Sequence, residues 1–191
     1  MENENKSKKG KRSELYFYII LGATLVLFFS LFLPVRVQGE SMENTLLNGD
    51  LLLMKRNWLV DEYVQGDIVV AAKDSFHNGE CIIKRIIAVE GQTVDIDNET
   101  GLVYVDGVAL DEPYALTPTY EKGELDFPIT VAENCYFVLG DNREESLDSR
   151  YSQIGQVHKD EIQGKIIWLI VPGIGDDRFD FKRIGTVNQA P

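Results

Sequence analysis

Cysteine and histidine are scarce in this chain, two of each among 191 residues. Cys81 and Cys135 lack the close spacing of a zinc or haem motif, and two cysteines make no disulfide framework. They remain open to pairing in an oxidising compartment or to persisting as buried thiols. His77 and His158 stand far apart with no HExxH between them, so no ligand cluster speaks for a metal centre and no cofactor is assigned. Positive charge is also scarce once the N-terminus is passed. Of 19 basic residues, Lys6, Lys8, Lys9, Lys11 and Arg12 precede the first apolar run, as do Glu2, Glu4 and Glu14 of the 31 acids. The remainder holds 14 basic residues against 28 acidic ones, which excludes the basic patch that a nucleic-acid partner requires. No repeat or low-complexity tract follows residue 15.

What the chain does have is one long apolar run. Tyr16 to Leu33, YFYIILGATLVLFFSLFL, carries no charge over 18 residues. As a helix it spans about 27 Å, close to the ~30 Å hydrocarbon core of a bilayer. A cleaved signal peptide would have a shorter apolar core and a small-residue site after it, and Val37-Gln38-Gly39 matches such a site weakly. The expectation is therefore a basic cytoplasmic tail over 1–15 and a retained transmembrane helix over 16–34. The basic cluster before the span keeps the N-terminus inside and places the body outside the cytoplasm.

Behind the anchor, short β-branched runs are punctuated by Gly, Asn and Asp, as in LLLM at 51–54, DIVV at 67–70 and CIIKRIIAV at 81–89. This pattern predicts a mainly β body. LVYV-DG-VAL at 102–110 predicts a two-residue hairpin, because Asp-Gly accepts positive φ. Residues 92–131 are acidic, rich in turns and hold three of the six prolines. They read as a small β extension inserted into a core of residues 35–91 and 132–191, to which CYFVLG at 135–140 and IIWLIV at 166–171 return the chain.

Three segments are candidates for chemistry. Ser41, in GESMENTLLNGD, is by itself as well read as a turn or cap residue, since no GxSxG elbow surrounds it. Lys84 lies mid-strand in CIIKRIIAV, with Ile82, Ile86 and Ala88 on its face and Ile83, Arg85, Ile87 and Val89 on the other. Both faces read as buried, so this is a central strand. A lysine there is either paired or snorkelling, or is desolvated towards the neutral form that a general base needs. The third segment, GDNREESLDSR at 140–150, is either a solvated turn or a loop braced by Asp141, Arg143, Asp148 and Arg150, with Ser146 free to bond a neighbour.

Taken in order, these segments resemble the bacterial type I signal peptidase (leader peptidase) family of the compact, single-span kind. SM at 41–42 resembles its nucleophile box, QGDIVV at 65–70 a structural box, IIKR at 82–85 the general-base box, and GDNREESLDSR the long GDNRxxSxDSR box. The resemblance implies a membrane-bound serine endopeptidase that removes signal peptides from exported preproteins through an acyl-enzyme. It implies Ser41 as nucleophile and Lys84 as base, with Ser146 orienting the lysine and Asp148, Asp141, Arg143 and Arg150 supporting the site. Implied partners are the signal peptides, lying as an extended strand against residues 35–38 and the Lys84 strand, and membrane lipid. Trp58 and Leu59 could meet that lipid, or Trp58 could be ordinary core. The chain departs from the pattern at Gly39, where some relatives have a serine that helps hold the oxyanion, and at Asn44, Gln65 and Gln92. Rival readings are a membrane-anchored Ser/Lys protease with a dedicated target, and a non-enzymatic peptide-binding β domain.

Overall fold

A computed structural model describes residues 2–73, 80–173 and 180–187, with two compact units, Met1–Leu33 and Pro34–Pro191. His77 lies outside the described residues. The first unit is the helix α1, Glu2–Leu31, in which Glu14–Leu31 is long and apolar enough to cross a membrane. The helix is continuous with the basic tail and stops three residues short of the expected end at 34. Phe32, Leu33 and Pro34 open the strand β1 (Phe32–Arg36) instead. Pro34 explains the change, because it lacks an N–H and disfavours helical backbone in the residue before it.

The second unit is mainly β. Its strands after β1 are β2 (Leu51–Arg56), β3 (Ile68–Ala72), β4 (Cys81–Val89), β5 (Thr93–Asp97), β6 (Leu102–Val105), β7 (Val108–Ala109), β8 (Ile129–Thr130), β9 (Cys135–Leu139), β10 (Val157–His158), β11 (Ile162–Val171) and β12 (Gly185–Thr186). They form an eight-stranded sheet in the order β1-β2-β11-β3-β4-β9-β10, with β12 also on β11, and a four-stranded sheet in the order β7-β6-β5-β8. The smaller sheet lies wholly within residues 92–131. Its β6–β7 hairpin turns on Asp106 at φ 51° and Gly107 at φ 79°, the left-handed pair that the Asp-Gly signal demands.

Among the described residues three apolar clusters fill the unit. Val37, Met42, Leu46, Leu52 and Ile166 meet in one, Val69, Ile82, Ile86 and Val138 in a second, and Ile87, Ala88, Val94 and Phe137 in a third. The third cluster corrects the expected alternation in β4, where Ala88 joins Ile87 rather than Ile82 and Ile86. The register against β9 shifts between Ile86 and Ala88, and a bulge of this kind turns successive side chains to the same side. The strand thereby contributes to all three clusters, since Ile83 packs on the first.

Ile86 is wholly buried at the middle of this strand. Ile86→Ala should cost about 2–5 kcal/mol of stability. Denaturant unfolding of the detergent-solubilised chain, followed by tryptophan fluorescence, would check this as a lowered midpoint at constant slope.

Candidate active site

The turn that carries Ser41 is built from its flanks. Gly39, at φ 90°, turns the chain out of β1 in a conformation that favours glycine. Thr45 and Leu46 then donate their N–H groups to the Met42 carbonyl at 3.0 and 2.8 Å, closing one tight turn. Met42 and Leu46, four residues apart on this turn, sink into the first cluster. With these two anchored, Ser41 is left half-buried at the mouth of a cleft.

Lys84 reaches the same point from β4. Its Nζ donates to Ser41 Oγ at 2.7 Å and to the Ile83 carbonyl at 3.1 Å, and the residue is 5% exposed. Burial lowers its pKa from the ordinary lysine value to about 8, against the opposing pull of Asp148 and Asp141. Each of those carboxylates is itself paired with an arginine. Arg85 grips Asp141 with Nε at 2.8 Å and Nη2 at 2.7 Å, and Arg150 grips Asp148 with Nε at 2.8 Å and Nη2 at 3.0 Å. Both pairs are buried, so each carboxylate faces a bidentate guanidinium instead of the lysine alone.

The loop at 140–150 is an internal scaffold and not a solvated turn. Arg143 donates to the Gly140 carbonyl at 2.9 Å and to Glu112 and Thr119, tying the loop to the segment that carries the smaller sheet. Arg150 also donates to the Arg143 and Glu121 carbonyls, at 2.7 and 3.1 Å. Thr45 Oγ1 donates to Asp141 Oδ2 at 2.5 Å, and the Tyr114 ring lies 4.0 Å below the Arg85 guanidinium. Gly140 is required by close approach, because a Cβ there would collide with the Ser146 hydroxyl and the Ser41 carbonyl oxygen. The loop therefore brings Asp141, Arg143, Ser146, Asp148 and Arg150 around the Ser41–Lys84 pair.

Two positions differ from expectation. The Ser146 hydroxyl is buried and has no hydrogen-bond partner among the described residues, so the bond expected to Lys84 is not made. Asn142 was not singled out from the sequence, yet its N–H donates to the Ser41 carbonyl at 3.1 Å and its Nδ2 to the Glu40 carbonyl at 3.2 Å. The only local signal was its place inside the GDNR run, because a side chain that holds distant backbone leaves no periodicity.

The cleft encloses about 460 Å³ between residues 35–39 on one wall and residues 80–84 on the other, with Ser41, Met42 and Val70 completing it. From Cys81 to Lys84, β4 pairs with β3 only, and its pairing with β9 starts at Arg85. That half of the strand offers an open backbone edge to an extended peptide among the described residues. Cys81 and Cys135 are both free thiols, the former exposed on the cleft wall. His158 caps the short 3-10 turn Lys159–Glu161, with Nδ1 accepting from the Asp160 N–H. Among the described residues no group of three or more His, Cys, Asp and Glu side chains is placed to hold a metal ion.

The family model described as "Signal peptidase, peptidase S26" matches residues 11–171. Signal peptidase I S of Bacillus subtilis (strain 168) is 34% identical over 183 residues, covering 90% of this chain and 96% of that one. Signal peptidase I of Bacillus licheniformis is 34% identical over 182 residues, covering 90% and 95%. A solved signal peptidase I from Enterococcus faecalis V583 shares 32% identity, with 56% of this chain and 97% of that one covered at a TM-score of 0.45.

Burying the Lys84 ammonium has a thermodynamic sign. Its folded pKa, about 8, lies below the ordinary lysine value of 10.5, so at neutral pH both states carry the proton and folding must desolvate the charge. The penalty is complete below pH 8, where it amounts to about 3 kcal/mol, and vanishes as pH rises through 10.5. Lys84→Met should therefore raise the unfolding midpoint at pH 7, with the gain shrinking between pH 8 and pH 10.5, as thermal unfolding across that range would show.

Proposed function

The chain belongs to the signal peptidase family, peptidase S26, and from that membership we propose that Ser41 and Lys84 are its catalytic pair, with Ser41 as nucleophile and Lys84 as general base. Its activity is that of signal peptidase I, a single-pass membrane serine peptidase that cleaves signal peptides from preproteins. The observation that carries the assignment is the 2.7 Å contact between a serine hydroxyl and a buried lysine whose pKa is lowered to about 8.

Neutral Lys84 takes the Ser41 proton as Oγ attacks the scissile carbonyl carbon. The resulting ammonium passes that proton to the amine of the mature protein as the C–N bond breaks, leaving an ester on Ser41. Lys84 then removes a proton from water, which attacks the ester, and returns that proton to Ser41 Oγ as the acyl–oxygen bond breaks, releasing the signal peptide with a free carboxyl group. The Ser41 N–H donates to no described residue, so it is available to the oxyanion. Gly39 supplies no second, side-chain donor, and its φ of 90° suits glycine better than the serine of some relatives. Asn142 Nδ2 holds the Glu40 carbonyl, which shares a peptide plane with the Ser41 N–H, and so fixes the direction of that N–H. The Ser146 hydroxyl, without a partner among the described residues, is free to accept from the ammonium formed during the reaction.

The substrate lies in the cleft as an added strand on Cys81–Lys84, where main-chain bonds give affinity and shallow pockets admit small side chains. The basic cluster before the anchor keeps the N-terminus cytoplasmic, so Ser41 works on the outer side. Lipid is the second partner. Trp58 is 62% exposed and Phe181 67% exposed, so neither is core, and exposed aromatic side chains of this kind are favoured at a bilayer interface.

Ser41→Ala or Lys84→Ala should each lower preprotein cleavage by roughly 10⁴-fold or more, read by gel assay of detergent-solubilised enzyme. For the unaltered enzyme kcat/KM should rise about tenfold per pH unit up to about pH 8 and then level, as the neutral lysine accumulates. Full activity in either variant would sink the pair. Trp58→Ser together with Phe181→Ser should leave cleavage of a short soluble peptide unchanged while slowing cleavage of a vesicle-embedded preprotein. Equal rates on both substrates would remove lipid contact from the reading.

A further inference from the structure

We propose that Arg183, which lies beyond the residues 11–171 matched by the family model, is a positioning residue that clamps the nucleophile turn. The inference rests on Ser41 being the nucleophile. Its basis is the wholly buried carboxylate of Asp50, nine residues after Ser41 at the end of the turn segment. Asp50 Oδ2 accepts from the Leu47 N–H at 2.8 Å and from Arg183 Nη2 at 2.6 Å, while Oδ1 accepts from the Gly173 N–H at 2.6 Å and from Arg183 Nη1 at 3.0 Å. The two amides satisfy one lone pair on each oxygen, and the guanidinium fork takes the other side of both.

Arg183 Nη2 also donates to the Thr45 carbonyl at 3.3 Å, which carries the clamp into the turn itself. The Thr45 N–H closes that turn on Met42, the residue after Ser41, and its hydroxyl donates to Asp141. Arg85 Nη2 adds a bond to the same hydroxyl at 3.3 Å. Thr45 is thus held by the Arg85–Asp141 pair on its side chain and by Arg183 on its main chain. Displacement of Thr45 would carry Met42 and Ser41 with it, away from Lys84.

The segment that delivers Arg183 is itself fixed. The Asp180 side chain caps the Lys182 N–H at 3.0 Å, and β12 pairs with β11 through Thr186–Trp168 and Gly185–Leu169. Beneath it Gly173 packs so tightly on residues 48–50 that a Cβ would strike the Asn48 carbonyl oxygen and the Asp50 nitrogen. An arginine suits this position because one planar group spans both carboxylate oxygens and still reaches the carbonyl, which a lysine ammonium cannot do. The guanidinium contacts the turn and not the cleft, so its effect should appear in the chemical step and not in peptide binding.

The test uses full-length enzyme in detergent, with kcat and KM taken per folded molecule at a temperature where near-ultraviolet circular dichroism shows the native signature. Arg183→Gln should lower kcat by roughly 10- to 100-fold with KM little changed, since misplacing a reacting group by about 1 Å can cost that much. Arg183→Lys should fall between this variant and the unaltered enzyme, and it carries the test if Arg183→Gln does not fold. The midpoint of the pH–rate limb should stay near 8 in both, because the burial of Lys84 is untouched. Asp50→Asn should reproduce the loss, and the double variant should be no worse than either single one. Unaltered kcat in the folded variants, or a loss confined to KM, overturns the clamp. Cleavage by Ser41→Ala in the same assay would overturn the nucleophile assignment instead, whatever Arg183 does.

Discussion

Desolvation of one ammonium group is the constraint around which this structure is arranged. A lysine in water holds its proton at neutral pH and is useless as a base there. Lys84 is placed in the middle of a strand that contributes to all three apolar clusters, and that burial brings its pKa to about 8. Acidic groups nearby would undo the effect, and this chain is strongly acidic. Asp141 and Asp148 are therefore tolerated beside the lysine because each is bound face to face by a buried arginine. The ion pairs do not need to stabilise the fold to be retained, since buried pairs often do not. Their effect here is to give each of two carboxylates beside Lys84 an arginine partner.

The same carboxylates also build the site. Asp141 receives Arg85 from the lysine strand and Thr45 from the serine turn, so one side chain joins the segments that carry Lys84 and Ser41. Asp148 receives the Gly140 N–H at 3.1 Å and Arg150, which holds the loop closed on itself. Gly140 then lets the loop backbone approach Ser41 so closely that Asn142 can bond its carbonyl. Positioning in this protein is done by main-chain contacts drawn together by a few buried charges. Such contacts lose little on reaction, because the donors are already in place when charge develops.

Much of this was legible before any coordinates. The anchor followed from an uncharged run, the β body from β-branched runs between turn residues, and the hairpin from Asp106-Gly107, all of them local patterns. The strand Cys81–Val89 appears with the bounds its apolar run suggested. What failed locally failed for identifiable reasons. Pro34 ended the helix at Leu31 by acting on the residues before it. A bulge opposite β9 moved Ala88 to the other side of its strand, and a bulge depends on the partner strand. Trp58, which its type left open between core and surface, is exposed.

The sequence by itself determined which residue types were present and where the chain had to be apolar, extended or turned, because those properties are read from neighbours along the chain. It could name Ser41, Lys84 and the charged loop at 140–150, but it offered no local means of activating the serine. Only the tertiary structure decided that a hydroxyl and an ammonium 43 residues apart lie within 2.7 Å, that Asn142 holds the Ser41 carbonyl, and that the Ser146 hydroxyl stands without a partner among the described residues. The reason is physical: the pKa of Lys84 belongs to its surroundings, and those surroundings are assembled from strands, turns and a loop that meet only when the sheet closes.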